Sequence, residues 1–444
     1  MSLNLTERVK HTQKKLRLLT ISSVLTEFDC HIMGLDESKR KLKYEKMAVS
    51  PFQFYRGSSY LFYFDTGREW FPYHSSPQRP TWIQGDLHFE NFGAFRSETG
   101  RIVFDVNDFD EGYTGSYLND LLRLCVSIAL VSRMKEFGLD VQKDLLDEYL
   151  SAYVKQIRKF AKRKEDPHDV VYDERVTNGP IRKLLKKMEK RVESHLLEGL
   201  TVLQEGGRQF IWTEEIQQPT AQERDMLISG WNDYLSTLNS KTKKPDSYYQ
   251  IKDIAVKYGS GTASIGLTRF YVLIEGAAGP QALDDIIIEV KEVRAPVPSY
   301  FMPYNELFWS EYAHQGKRVI MTQQAMHHEA DPFLGFMTME GRHFYARERS
   351  PFKKKLKLEK IESFDDWQSV ISCMGEITAK MHARADVDVQ HGILSHHSED
   401  EIVQAIGADT DAFREYLANW AISYAHQVED DYVLFIEWLE QRAT

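Results

Sequence analysis

Residues 83–111 read IQGDLHFENFGAFRSETGRIVFDVNDFDE, and this stretch decides the fold. Residues 82–85 read as the end of a short strand, and residues 101–106 predict a second. A polar loop follows each strand. The first loop holds Asp86 and Asn91, five positions apart, and the second holds Asp108-Phe109-Asp110. A short hairpin between them brings the two acidic loops together. Such oxygen ligands suit a hard divalent cation, and Mg²⁺ takes one or two protein carboxylates plus substrate phosphates. Asp and Asn also build ordinary turns, which accounts for one loop more easily than for both.

The rest of the chain is globular in composition. Of 444 residues, 42% are hydrophobic and 27% charged, which excludes a disordered chain, a collagen and a coiled coil. The length exceeds what one hydrophobic core usually serves, so two or more lobes are expected. Against 56 basic residues stand 66 acidic ones, a net charge of −10, which argues against a broad nucleic-acid surface. Cys30, Cys125 and Cys373 are too scattered for a disulfide framework or a metal site, and suit a reducing compartment. The lysine-rich start lacks a signal-peptide core, and no run is long enough to span a membrane. A cytoplasmic protein without membrane or nucleic-acid partners is expected.

Helical spacing marks residues 1–50, 117–137, 141–160, 303–327 and 367–382, and the tail, 410–442, reads as two more helices. Residues 253–258, 269–275 and 285–293 read as strands, and 335–347 as a hairpin around Glu340-Gly341. The class is α+β. The polar loop at 239–247 suggests a division into 1–250, helix-rich; 251–350, strand-rich; and 351–444, helices returning to the first part. Between the first two strands lies a glycine-rich loop, Tyr258-Gly259-Ser260-Gly261-Thr262-Ala263-Ser264-Ile265-Gly266. Glycine lets backbone N–H groups approach phosphates. This loop leads into a strand, unlike a dinucleotide-binding loop, which opens a helix. The third strand, IIIEVKEV, carries Lys291. Alone it is an edge-strand lysine; two strands after a glycine-rich loop it is a phosphate-gripping candidate.

The two acidic loops resemble the catalytic segment of protein-kinase-like phosphotransferases, in particular the aminoglycoside and choline kinases. Their pattern is H-G-D-x-H-x-x-N, a strand, then I-D-[FW]-[GDE]. Here it stands as Gln84-Gly85-Asp86-Leu87-His88-Phe89-Glu90-Asn91 and Asn107-Asp108-Phe109-Asp110. The resemblance implies that Asp86 accepts the proton of a substrate hydroxyl, and that Asn91 and Asp108 hold Mg²⁺ on ATP. It implies that Asp110 adds to the metal shell and that Asp120, opening the next helix, braces the loop. Gln84 departs from the usual histidine. Gly259, Gly261, Ser264 and Gly266 would cover the nucleotide, and Lys291 resembles the strand lysine that grips its phosphates.

The order is inverted. Glycine loop and lysine follow the catalytic loop by about 170 residues. The 367–382 helix, ending Met381-His382-Ala383-Arg384, resembles the helix that leads into the catalytic loop in these kinases. The resemblance therefore implies a two-lobed kinase-like fold, circularly permuted, with a helix-rich catalytic lobe and a small antiparallel-sheet nucleotide lobe. Over roughly residues 40–440 the chain also resembles the bacterial domain of unknown function 2252. Ser50-Pro51-Phe52, Tyr55-Arg56-Gly57, Val290-Lys291-Glu292, Asp331-Pro332-Phe333-Leu334-Gly335 and Tyr424-Ala425-His426-Gln427 carry that likeness.

The expectation is transfer of the ATP γ-phosphoryl group to a small-molecule hydroxyl, with no obligate protein partner. AMP transfer uses the same residues. A nucleotide sensor or scaffold without catalysis is an alternative, because no motif places the glutamate that kinases pair with the strand lysine; Glu306 and Glu311 are candidates. A two-metal phosphoesterase shares the Asp86-Leu87-His88 opening but needs a G-N-H that does not occur. Arg56 either reaches an anion or packs beside the aromatic residues around it. His327-His328 with Glu329 and Asp331 reads as a loop or helix end, and Lys353-Lys354-Lys355 as a solvated run.

Overall fold

The hairpin predicted between the two acidic loops forms. Phe92–Arg96 pairs antiparallel with Ile102–Val106, from Phe92 opposite Val106 to Arg96 opposite Ile102. A second ribbon pairs Thr81–Ile83 with Tyr113–Gly115, with Ile83 opposite Tyr113. These registers fix the site. Residues 84–91 run from the end of one ribbon into the other, and 107–112 run back, so both loops emerge between the two ribbons. Lys354–Lys355 adds a third strand beside Phe92–Arg96.

The computed structural model describes residues 4–97, 99–191, 194–204, 207–259, 265–277, 284–327, 331–389 and 392–443. Its largest core centres on the helix Leu118–Met134, whose Leu121, Leu122, Cys125, Ile128 and Ala129 are fully buried. Around it pack Leu139–Ala161, Phe364–Arg384 and the long helix Thr410–Ala443. That last helix is one continuous element of 34 residues, where two were expected. No glycine or proline interrupts 410–443, so nothing in the chain ends it sooner.

The three predicted strands form as Ile251–Lys257, Arg269–Ile274 and Ile286–Glu292, inside a six-stranded antiparallel sheet. Arg342–Glu348 and Gly335–Met339 extend it on one side; Glu340 and Gly341 turn that hairpin, both at positive φ. Strand alternation splits the sheet into two faces. Phe270, Val272, Ile288, Val290, Phe344 and Ala346 pack with Trp231 and Tyr234 of the helix Ala221–Thr237. The opposite face carries Arg269, Glu289, Lys291, Tyr345 and Arg347, with Lys291 opposite Tyr345 and Glu289 opposite Arg347. Glu289 joins Arg347 at 2.8 Å and Arg269 at 3.2 Å.

Strand structure also begins earlier than expected. Thr201–Gln204 pairs with Gly207–Phe210, and Ile216–Gln217 forms the sheet's far edge against Lys257 and Val256. Residues 303–327 form two helices, Glu306–Glu311 and Gln315–Met326. Among the described residues, no helix is long and apolar enough to cross a membrane.

Candidate functional site

The loop after Ile83 is held from below by one carboxylate. Asp120, fully buried in the first turn of Leu118–Met134, accepts hydrogen bonds from the backbone N–H groups of Gln84 (2.6 Å) and Gly85 (2.9 Å). His382 Nε2 lies 3.2 Å from the same carboxylate, and its Nδ1 lies 2.9 Å from the Tyr153 hydroxyl. The helix ending in 381–384 thus reaches the loop through Asp120. Gly85 has φ +86°, and a Cβ there would lie 2.1 Å from the carbonyl oxygen of Glu111, so only glycine lets the two loops approach this closely. Gln84 ties them together. Its Oε1 accepts from the Asp86 N–H at 2.9 Å, and its Nε2 donates to the Asp108 carbonyl at 2.7 Å.

Asp86, Asn91, Asp108, Asp110 and Lys291 line one small cavity of about 100 Å³. Asn91 Nδ2 donates to the Asp86 carbonyl at 2.9 Å. Asp86 Oδ1 accepts from Arg123 Nε (2.9 Å) and lies 2.7 Å from Nη2 in the same ion pair. Burial raises the Asp86 pKa, and the Arg123 charge works against that rise. The Asp110 carboxylate bonds Lys291 through Oδ2 and Tyr345 through Oδ1 (2.8 Å). Burial alone would raise its pKa; the lysine outweighs this and holds it down at about 2. Glu111 Oε2 accepts from the Val297 N–H at 2.5 Å, yet burial, with Asp86 close by, pushes its pKa up to about 7. The Asp108 carboxylate accepts no hydrogen bond and makes no ion pair among the described residues.

The family model described as an uncharacterized protein conserved in bacteria, DUF2252, matches residues 35–438. This chain belongs to that family. No curated protein and no solved structure matches it.

In this DUF2252 chain the cavity draws together residues far apart in sequence; Lys291 and Asp110 are separated by 181 positions. Gly259 and Gly266 both have positive φ. The Gly259 carbonyl accepts from Lys46 at 3.0 Å, and a Cβ on Gly266 would strike Leu35. Gly261 and Ser264 lie outside the described residues, as do His328 and Glu329. Glu311 pairs with Lys317 at 2.5 Å, and the acid that meets Lys291 is Asp110. Arg56 lines the cavity and pairs with Glu90 at 2.7 Å. Asp331 accepts from the Phe333 and Glu348 N–H groups at 2.8 and 2.6 Å.

Two buried arginines were not foreseen. Arg123 stands in the apolar run LNDLLRLCVSIALVSRM, and an arginine flanked on both sides by leucines there signals a buried partner. Arg318, on the helix Gln315–Met326, donates to the carbonyls of Asp110 (2.7 Å), Gly112 (2.8 Å) and Arg294 (3.0 Å), clamping the acidic turn to the segment after the Lys291 strand. Lys353, read within a solvated run, is drawn inward. Its Nζ donates to the Asn107 carbonyl at 2.9 Å, and burial with Arg347 nearby lowers its pKa to about 7.

Proposed function

We propose that this chain is an ATP- and Mg²⁺-dependent phosphotransferase that moves the γ-phosphoryl group to a hydroxyl of a small molecule. The observation that carries the reading is the meeting of the sheet lysine, Lys291, with the 107–111 turn, in a cavity also lined by Asp86 and Asn91. A strand lysine, an Asp-x₄-Asn loop and an acidic turn converging on one cavity are what phosphoryl transfer requires. The donor set fits a hard cation: Asp108 has an unengaged carboxylate, and Asn91 keeps its carbonyl oxygen free while its Nδ2 is engaged. Mg²⁺ held there would neutralise charge on the phosphates.

Asp86 accepts the acceptor's hydroxyl proton as the oxygen attacks the γ-phosphorus; the bond to the leaving ADP oxygen breaks and ADP departs with that electron pair. Arg123, through Oδ1, fixes the Asp86 carboxylate in orientation. Lys291, aimed by its ion pair with Asp110, faces the phosphates. The chain order, with these loops preceding the lysine-bearing sheet, favours a circularly permuted kinase-like arrangement. One observation favours the sensor reading: the helix Gln315–Met326 sends Arg318, not a glutamate, toward the turn.

Calorimetric titration of ATP, with and without Mg²⁺, into wild type and Asp108→Ala tests the site. Mg²⁺-dependent binding that disappears in the variant is expected. Binding indifferent to both metal and Asp108 would support the sensor, and no binding would refute the phosphotransferase. With an acceptor in hand, Asp86→Ala should lower turnover roughly 10²–10⁴-fold while leaving ATP affinity nearly unchanged.

A further inference from the structure

Behind the Asn107–Asp108 turn lies a second cavity of about 390 Å³, which shares no lining residue with the first. Its size falls in the range of small-molecule sites. Its floor is polar and unsatisfied. Asn107 and Gln323 are 6% and 7% exposed, and neither side chain makes a hydrogen bond among the described residues. His327 bonds the Val106 carbonyl through Nε2, which leaves Nδ1 as a buried acceptor with no partner. Burial holds this imidazole neutral, with a pKa lowered to about 4. Phe95 stacks on its ring at 4.7 Å. Buried polar atoms are rarely left unpaired, because each lost bond costs on the order of 1–3 kcal/mol.

The wall adds positive charge. Arg347 engages Glu289 through Nε and Nη2, both at 2.8 Å, leaving Nη1 over. Lys353, whose pKa burial lowers to about 7, donates one N–H to the Asn107 carbonyl and keeps its other N–H groups, and a phosphate beside it would favour the charged form. Asp331, also in the wall, already has both oxygens on backbone N–H groups. Glu348 and Arg96 line the wall as well, and both are already engaged, so the capacity left over is that of Arg347 and Lys353 in the wall, and amide and imidazole on the floor. Guanidinium and ammonium groups suit phosphate oxygens. Carboxamides and a neutral imidazole suit hydroxyls, which both donate and accept.

We propose that this cavity binds a small hydroxylated phosphate monoester, its phosphate on Lys353 and Arg347 and its hydroxyls on Asn107, Gln323 and His327. The site does not depend on the phosphotransferase reading. It does adjoin that cavity through the backbone. His327 and Lys353 hold the carbonyls of Val106 and Asn107, the two residues before Asp108, so a ligand that engages them bears on where Asp108 stands.

The test is calorimetric titration of glucose 6-phosphate into the full chain, with inorganic phosphate in parallel, against Gln323→Leu and Lys353→Met. Each substitution is expected to weaken glucose 6-phosphate roughly tenfold or more. Inorganic phosphate should bind at least about tenfold more weakly than the ester. Gln323→Leu removes an amide that makes no hydrogen bond among the described residues, at nearly constant volume, and should fold and melt close to wild type, so its arm decides even if Lys353→Met fails to fold. Binding undiminished in Gln323→Leu, phosphate binding as tightly as the ester, or no heat from glucose 6-phosphate and glycerol 3-phosphate at ~10 mM would each overturn the proposal.

Discussion

Arg123 and Asp86 form a buried ion pair in which both Nε and Nη2 of the guanidinium reach the same oxygen, Oδ1. The arginine side chain is fully buried and the aspartate 12% exposed, so only the carboxylate has an open side. The same Nη2 also donates to the Tyr55 carbonyl at 2.9 Å. Removing one partner of such a pair strands the other charge. Arg123→Leu should destabilise the fold by roughly 3–5 kcal/mol at neutral pH, read from urea unfolding. Asp86→Asn, which keeps an acceptor oxygen for the guanidinium, should cost clearly less. An Asp86→Asn variant as stable as wild type beside a large loss in Arg123→Leu would mean that the arginine acts through packing rather than charge.

Lys291 and Asp110 make a different prediction, because the carboxylate's low pKa ties stability to pH. Its folded pKa of about 2 lies below its unfolded value, so the pair's contribution is fully present above pH ~4 and fades as pH falls toward 2. Lys291→Met should destabilise the chain by about 2 kcal/mol or more at pH 7, with the gap to wild type closing in acid. Tyr345→Phe, which removes only the 2.8 Å bond to Oδ1, should cost less, about 1–2 kcal/mol. A gap that stays constant from pH 7 to pH 3 would contradict this account of the pair.

Local patterns in the sequence were enough to place the two acidic loops and three strands of the lysine-bearing sheet. β-branched runs bounded by glycine read as strands, whereas the bracing role of Asp120 came with the resemblance to kinases. What could not be read depends on packing between distant segments. Arg123 announces a buried partner but not which one; Asp86 lies 37 residues before it and is brought there by the ribbon registers. The partner of Lys291 was sought on a following helix, whereas the turn at Asp110 supplies it. Lys353 looked solvated because its neighbours are charged. Only the pairing of Lys354 and Lys355 with Ala94 and Gly93 turns the preceding residue inward.

Asp120 offers a test of the loop's support that is independent of any ligand. It accepts two backbone N–H bonds from Gln84 and Gly85, in a place without exposure to water. Asp120→Ala leaves both donors unpaired and should cost roughly 3–5 kcal/mol. Asp120→Asn keeps one good acceptor and should recover part of this loss. His382→Ala, which removes only the 3.2 Å contact on the far side of the carboxylate, should fall below both. Hydrogen exchange at the Gln84 and Gly85 amides reads the effect directly: Asp120→Ala should speed it strongly, and unchanged protection would contradict the brace.

Glu111 gives the last prediction, with the opposite sign to Asp110. Burial, with Asp86 close by, raises its pKa to about 7, above the unfolded value. The neutral carboxyl is therefore the form the fold prefers. Its contribution is present below pH ~4.5 and is lost as pH rises through 7, by an amount on the order of 1–3 kcal/mol. Glu111→Gln keeps an oxygen for the Val297 N–H and cannot ionise, so it should flatten the fall in stability between pH 4.5 and 7 and be the more stable protein at pH 8. A divalent cation held by Asp108 would favour the ionised form and shift this loss to lower pH. Unfolding curves across that range, with and without Mg²⁺, therefore read both the buried carboxyl and the metal reading. A wild-type profile unmoved by Mg²⁺ would count against a cation at Asp108, and a slope that persists in Glu111→Gln would assign the pH dependence to another group.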